Sequence, residues 1–159
     1  MRRGSLTDAR SEAILRPIRS DLDPLTPAGR DLERAAGEGV RRRLEQIGEV
    51  PVGGAVVTPG GDLPAMLLIH AAIESQDEPV TRAGVERALT NGIRRAVEWG
   101  VGSLSLPPLG AGAGQLELET VVALMMDALR KAVLDAATLA EVEIVVETEY
   151  QETAFLQAV

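Results

Sequence analysis

A glycine-rich loop is the part of this sequence whose residue types and spacing could do chemistry. The loop comprises Gly110, Ala111, Gly112, Ala113 and Gly114. It follows a short apolar segment at residues 104–106 and precedes a long amphipathic one. Glycines let a backbone approach an anion, and successive N–H groups near a helix N-terminus stabilise negative charge. The pattern predicts a phosphate-binding loop, and a strand-to-helix turn that needs glycine only for its own conformation is the alternative interpretation.

Two arginines form the second candidate site. Arg16 and Arg19 follow a short apolar segment, and guanidinium forks match the geometry of phosphate and carboxylate groups. They are candidate anion contacts on this basis. The alternative, which we favour, is a solvated pair that balances the carboxylates of Asp21 and Asp23.

The rest of the composition excludes several kinds of chemistry. The chain has no cysteine and one histidine, His70, so disulfides, thiolate sites and sites with several histidines are excluded. We expect no metal and no cofactor. Because His70 ends an apolar segment, a structural role is expected for it rather than catalysis.

Charge and hydropathy restrict the partners. The net charge of −8 argues against nucleic acid and against anionic membranes. No apolar run reaches the ~20 residues that span a bilayer, and the N-terminus lacks the apolar core of a signal peptide. We therefore expect a cytoplasmic protein. At 159 residues, 45% of them hydrophobic, a single domain over residues 1–159 is expected.

Apolar and amphipathic segments alternate, which predicts a layered α/β sandwich. Thr26 and Pro27 have the residue types of a helix N-cap and first turn. Pro17 is expected to stop the first strand because it has no N–H to donate. Strands are predicted at residues 12–15, 54–57, 65–72, 104–106 and 142–146. Helices are predicted from residue 27 to about 47 and at residues 80–99, 116–134 and 151–158.

In these elements the chain resembles the macrodomain family over nearly its whole length. The residues that carry the resemblance are Gly53-Gly54-Ala55-Val56-Val57-Thr58, Asp62-Leu63-Pro64-Ala65, Ile69-His70-Ala71-Ala72, Ala96-Val97-Glu98-Trp99-Gly100-Val101 and Pro107 through Gly114. Members of this family bind ADP-ribose, and some hydrolyse ADP-ribosyl bonds. The resemblance implies a three-layer α/β/α sandwich with a mixed, mostly parallel central sheet of five or six strands.

The sequence departs from the family at its ligand-binding segments. Where members have Gly-Asp-Ile-Thr, whose aspartate accepts from the adenine amino group, this chain has Gly4-Ser5-Leu6-Thr7. Where they have Asn-Ala-Ala-Asn, whose last asparagine contacts the distal ribose, it has Arg16-Pro17-Ile18-Arg19. A guanidinium only donates, so it cannot replace an amide. Tyr150 lies near the position where some relatives stack an aromatic ring on adenine.

The resemblance therefore implies a degenerate macrodomain. We expect a module that binds an ADP-ribose-class nucleotide or a diphosphate, weakly and without catalysis. An ADP-ribosyl hydrolase and a ligand-free domain with a structural or protein-interaction role are the alternatives. The family's first edge strand is predicted to be missing because only Met1-Arg2-Arg3 precede Gly4. The strand at residues 142–146 would then have a free edge, and such edges favour pairing in a homodimer.

Overall fold

A six-stranded sheet forms the centre of the computed structural model, which describes residues 1–112, 115–135 and 138–159. The strands are β1 (Arg2–Arg3), β2 (Ala13–Arg19), β3 (Ala55–Pro59), β4 (Leu67–Glu74), β5 (Ser103–Leu106) and β6 (Glu141–Val146). Their order across the sheet is β1-β6-β5-β2-β4-β3. All neighbouring strands are parallel except β3 and β4, which are antiparallel. The sheet is therefore mixed and mostly parallel, as predicted.

Helices cover both faces of the sheet. They are α1 (Pro27–Ala36), α2 (Glu38–Ile47), α3 (Arg82–Glu98), α4 (Leu118–Asp135) and α5 (Glu149–Ala158). One apolar cluster packs α1 and α2 against Ile14, Ile18 and Leu68, and the other packs α3, α4 and α5 against Leu15 and Ile69. Successive residues of a strand point to opposite faces, so each central strand contributes to both clusters. This confirms the predicted three-layer sandwich.

The proline in β2 does not end the strand, so that prediction is wrong. Pro17 pairs with Ala71 of β4, and β2 continues to Arg19. On its other side β2 pairs with β5 only at Ala13 and Ile14, so Pro17 borders the open end of that edge. A strand tolerates proline where the missing N–H has no partner to serve. Pro17 therefore lies near the carboxyl end of β2.

The edge strand that we predicted to be missing is present, reduced to two residues. Arg2 pairs with Val145 and Arg3 with Val146, both in parallel. The side chain of Arg2 holds the strand in place because its Nε donates to Glu143 Oε1 at 3.2 Å. This ion pair therefore adds a side-chain contact between β1 and β6 to their backbone pairing.

The predicted N-cap of α1 is confirmed, and it orients the first turn of that helix. Thr26 has an extended backbone, and its Oγ1 accepts from the backbone N–H of Gly29 at 3.0 Å. Pro27 occupies the first helical position, as expected. Within the described residues, no helix is long and apolar enough to cross a membrane.

Candidate functional site

A cleft of about 760 Å³ lies where the carboxyl ends of β2, β5 and β6 meet the first turn of α1. Its volume is in the range of small-molecule sites, and the carboxyl ends of parallel strands are where open α/β sheets bind ligands. The lining residues are Arg3, Gly4, Ser5, Leu6, Arg16, Pro17, Thr26, Pro27, Ala28, Gly29, Asp31, Leu32, Pro107, Pro108, Ala111, Gly112, Val145, Glu147 and Gln151. The cleft therefore gathers segments that are far apart in the sequence.

The glycine-rich loop contributes Ala111 and Gly112 to this cleft. The backbone N–H of Gly112 donates to Gln115 Oε1 at 2.8 Å, and the N–H of Gln115 donates to the carbonyl of Gly112 at 3.0 Å. An anion that used the N–H of Gly112 would have to displace the Gln115 side chain. The candidate residues Ala113 and Gly114 lie outside the described residues.

Gly110 serves the turn and the core instead of the cleft. Its φ is +85°, a conformation that residues with a side chain rarely adopt. A Cβ at this position would lie 3.1 Å from both Val80 Cγ1 and Val85 Cγ2. Gly112 has no positive φ, and among the described residues a Cβ there would meet the flexible Gln115 side chain. The turn interpretation therefore applies to Gly110, whose backbone conformation and close contacts require glycine. The phosphate-binding interpretation stays open for Gly112, which borders the cleft.

Arg16 lies in the wall of the cleft, and its side chain is only 1% exposed. Its Nη2 donates to Glu33 Oε1, its Nη1 donates to the carbonyl of Gly29 at 3.4 Å, and its Nε donates to His70. Burial lowers the pKa of the Arg16 guanidinium, and the hydrogen bond and charge of Glu33 oppose that effect. The favoured interpretation of a solvated Arg16 is therefore wrong, since α1 covers the side chain.

His70 is structural, as the sequence predicted. It is fully buried, with Nδ1 2.9 Å from Arg16 Nε and Nε2 2.9 Å from Thr58 Oγ1. Arginine can only donate, so Nδ1 accepts and the proton is on Nε2. Burial lowers the pKa of His70 well below its ordinary value, and the charges of Arg16 and Arg41 lower it further. The imidazole is neutral and is enclosed by its partners.

Arg19 lies away from this cleft, contrary to the expectation that both arginines face one ligand region. It borders a second depression of about 390 Å³, with Ser20 and Glu49. Its Nε is 3.5 Å from Asp21 Oδ1, which fits the solvated interpretation for this residue. Arg16 and Arg19 differ by an odd number of positions, and a register shift follows Ile18, so their side chains take different directions from β2.

Two further segments at the rim of the cleft, residues 5–7 and 147–151, contain local hydrogen bonds from a backbone N–H to a side chain. Ser5 Oγ accepts from the N–H of Thr7 at 3.2 Å, and Gln151 Oε1 accepts from the N–H of Glu147 at 2.9 Å. Each contact satisfies a backbone donor near a chain turn. The rim is thus ordered by local hydrogen bonds before any ligand enters.

Tyr150 contacts α4 and is not among the described residues that line the cleft. Its hydroxyl donates to Glu119 Oε1 at 2.7 Å, across the start of α4, and the ring is exposed. This hydrogen bond lowers the pKa of Glu119 and raises that of Tyr150. The contact joins α4 to α5.

Several residues at the site were missed in the sequence. Glu33 accepts from both Arg16 and Arg41, and Arg41 Nη1 also donates to the carbonyl of Leu22 at 3.2 Å. Glu33 lies one turn after Gly29 on α1, so the sequence indicated only that these two residues share one face of the helix. Only the packing of α1 on the sheet identifies its partner on β2. Within the described residues, no group of three or more His, Cys, Asp or Glu side chains is placed to hold a metal ion.

The fold and the cleft together define an α/β protein whose candidate site lies at the carboxyl ends of parallel strands. The model of the Macro domain family matches residues 27–125, more than half of the chain. The chain therefore belongs to this family.

Two relatives are similar to this chain in sequence. An uncharacterized protein of Aeropyrum pernix is 36% identical over 121 residues, which are 74% of this chain and 63% of the relative. An uncharacterized protein of Mycobacterium tuberculosis is 33% identical over 100 residues, which are 63% of this chain and 28% of the relative. The chain thus spans less than two thirds of the length of either protein.

Solved macrodomains have the same fold. The Trypanosoma brucei macrodomain in complex with ADP-ribose superposes with a TM-score of 0.89 at 17% identity, covering 99% of this chain and 67% of that one. The Oceanobacillus iheyensis macrodomain with ADP gives a TM-score of 0.81 at 20% identity, covering 97% of this chain and 85% of that one. At this level of identity the likeness establishes the fold alone.

Proposed function

We propose that this chain is a binding module for an ADP-ribose-class nucleotide or a diphosphate, and that it binds weakly and without catalysis. The observation that carries the proposal is the cleft of about 760 Å³ into which Ala111 and Gly112 of the glycine-rich loop open. A nucleotide diphosphate fits this volume. Solved structures of the same fold contain ADP-ribose or ADP.

Weak binding follows from competition inside the cleft. The N–H of Gly112 is engaged by Gln115, so a phosphate oxygen gains one hydrogen bond only by breaking another. The cleft also has two acidic side chains, Asp31 and Glu147, which oppose the attraction of an anion to Arg3 and Arg16.

The proposed lack of catalysis rests on Arg16 and His70. Arg16 stands in a segment where hydrolytic relatives are expected to have an amide, and its donors are directed to Glu33, Gly29 and His70. A general base must have a usable proton affinity and reach the reacting group. His70 has neither, because it is neutral, buried and enclosed by Arg16 and Thr58.

Isothermal titration with ADP-ribose, ADP and inorganic diphosphate tests the binding proposal. Heat that saturates in the micromolar to millimolar range is expected with at least one nucleotide. The absence of heat with all three at millimolar concentration would overturn the proposal and would favour a structural or protein-interaction role.

Release of ADP-ribose from a mono-ADP-ribosylated protein tests the proposed lack of catalysis. An active macrodomain assayed alongside serves as the positive control. We expect no release above background, and Arg19→Asn should not create activity because Arg19 borders a different depression. Release at a rate comparable to that of the control would identify an ADP-ribosyl hydrolase instead.

We further propose that the module works in the cytoplasm, in keeping with its cysteine-free composition, and that it forms a homodimer through the outer edge of β6. Among the described residues, β1 pairs with that edge only at Val145 and Val146. Backbone groups of the preceding residues of β6 are then available to a second copy.

A further inference from the structure

The glycine-rich loop already contains an acceptor at the point where a phosphate oxygen would bind. Gln115 Oε1 accepts from the backbone N–H of Gly112 at 2.8 Å, and Gly112 lines the cleft. This distance is that of a well-formed hydrogen bond. Because a carboxamide oxygen and a phosphate oxygen are both acceptors, Oε1 marks the position from which an anion would accept the same N–H.

The backbone of the loop does not depend on this side-chain contact. The N–H of Gln115 donates to the carbonyl of Gly112 at 3.0 Å, and the N–H of Leu116 donates to the carbonyl of Gly110 at 2.8 Å. Both hydrogen bonds join backbone groups, so neither needs the carboxamide. The Gln115 side chain can therefore leave Gly112 while these two contacts keep the shape of the turn.

Displacement of the carboxamide favours ligands that have an ionised oxygen. A neutral hydroxyl group in the place of Oε1 would exchange one neutral hydrogen bond for another and gain little. A phosphate oxygen carries charge, and hydrogen bonds to ionised acceptors are roughly twice as strong as neutral ones. The exchange at Gly112 is therefore favourable for a phosphate group and nearly neutral for a sugar hydroxyl.

We propose that Gln115 is an internal ligand of the glycine-rich loop, which occupies the N–H of Gly112 until a phosphate group displaces it. The inference rests on the proposed nucleotide- or diphosphate-binding function and adds a regulatory contact to that site. Gln115 is a specificity-determining residue in this role because it selects for charge. Its removal makes binding tighter, whereas the removal of an ordinary ligand contact would make binding weaker.

Amide hydrogen exchange tests the contact without any ligand. We expect the N–H of Gly112 to exchange severalfold faster in Gln115→Ala than in the unmodified protein. The N–H of Leu116 is the internal control, because it donates to Gly110 and should exchange equally in both proteins. Equal exchange at Gly112 would overturn the inference. Faster exchange at both positions would overturn it as well, since the loop itself would then depend on the side chain.

Isothermal titration with inorganic diphosphate and with ADP tests the competition. We expect Gln115→Ala to bind about fivefold more tightly than the unmodified protein, which corresponds to about 1 kcal/mol. Gln115→Glu should bind more weakly, because a carboxylate is a stronger acceptor for the N–H and repels an anion. Gln46→Ala is the matched control, since Gln46 is exposed on α2 and its loss should leave the affinity unchanged. Circular dichroism establishes that each variant is folded.

The outcomes separate this inference from the proposed function. Unchanged or weaker binding by folded Gln115→Ala, when the unmodified protein binds, would overturn the inference and leave the proposed function intact. Binding by Gln115→Ala alone would support the internal ligand and refute binding by the unmodified protein. The absence of heat from both proteins at millimolar concentration would refute the proposed function, and the inference with it.

Discussion

Arg16 Nε donates to His70 Nδ1 across 2.9 Å, and this contact joins β2 to β4 beneath the cleft. It fixes the imidazole as the neutral tautomer that carries its proton on Nε2, because a guanidinium cannot accept. Thr58 Oγ1 donates its own proton to the carbonyl of Pro59 and accepts a hydrogen bond from Nε2–H of His70. His70 therefore connects β4 to β2 and β3 by hydrogen bonds, and both of its ring nitrogens are occupied.

The first prediction is that His70 stays neutral well below pH 6.5. Burial and the charges of Arg16 and Arg41 lower its pKa. The chain has one histidine, so its imidazole proton signals in an NMR spectrum are unambiguous. We expect no titration of these signals between pH 7.5 and pH 5.5. A midpoint near the ordinary value of about 6.5 would show that the imidazole is accessible and not locked.

The same lowered pKa makes stability depend on pH with a defined sign. Below about pH 6.5 the unfolded chain takes up a proton on His70 that the native state refuses, so the free energy of unfolding falls. The contribution of this residue reaches at most about 1.4 kcal/mol per pH unit between the two pKa values. Urea unfolding at several pH values measures it, with His70→Gln as the comparison whose slope should be smaller.

A second prediction concerns Glu33, the carboxylate that serves Arg16 and Arg41. Glu33→Gln leaves the buried Arg16 charge uncompensated, and we expect a loss of about 3 kcal/mol in the free energy of unfolding. Asp31→Asn on the same helix is the control, because its pair with Arg34 is exposed and should change stability by less than about 0.5 kcal/mol. Chemical denaturation measures both, and equal losses would contradict the buried role of Glu33.

A third prediction separates the two described glycines of the loop. Gly112→Val displaces the Gln115 side chain and places a branched side chain at the cleft, so nucleotide binding should be lost while the fold is kept. Gly110→Val requires a strained positive φ and contacts Val80 and Val85, so it should lower the thermal midpoint instead. Titration calorimetry and circular dichroism distinguish the two effects. Unchanged binding by folded Gly112→Val would rule out the loop as the ligand site.

The fourth prediction is a homodimer along the outer edge of β6. Sedimentation velocity should show a growing dimer fraction as the protein concentration rises. Glu141 and Glu143 alternate with apolar residues on that strand, and two copies would bring these carboxylates together. Added salt should therefore favour the dimer by screening. A monomer at high micromolar concentration would show that β1 is sufficient protection for this edge.

Periodicity and residue type were enough to predict most elements. The helix predicted at residues 80–99 is α3 (Arg82–Glu98), and the strand at residues 104–106 is β5 (Ser103–Leu106). These predictions succeed because hydrophobic spacing and capping residues act locally. The prediction for Pro17 failed because a proline is excluded only where a neighbour needs its N–H, and that depends on where β5 ends.

By itself, the sequence determined the layered α/β class, the N-cap at Thr26 and the structural character of His70, because composition, spacing and side-chain chemistry are properties of the chain. Only the tertiary structure decided that Arg16 is buried in the cleft wall while Arg19 lies at another depression. It also decided that Gly110 faces the core and Gly112 the cleft. Burial and direction depend on which helix covers a strand, and α1 places Glu33 against Arg16 across 17 positions of sequence.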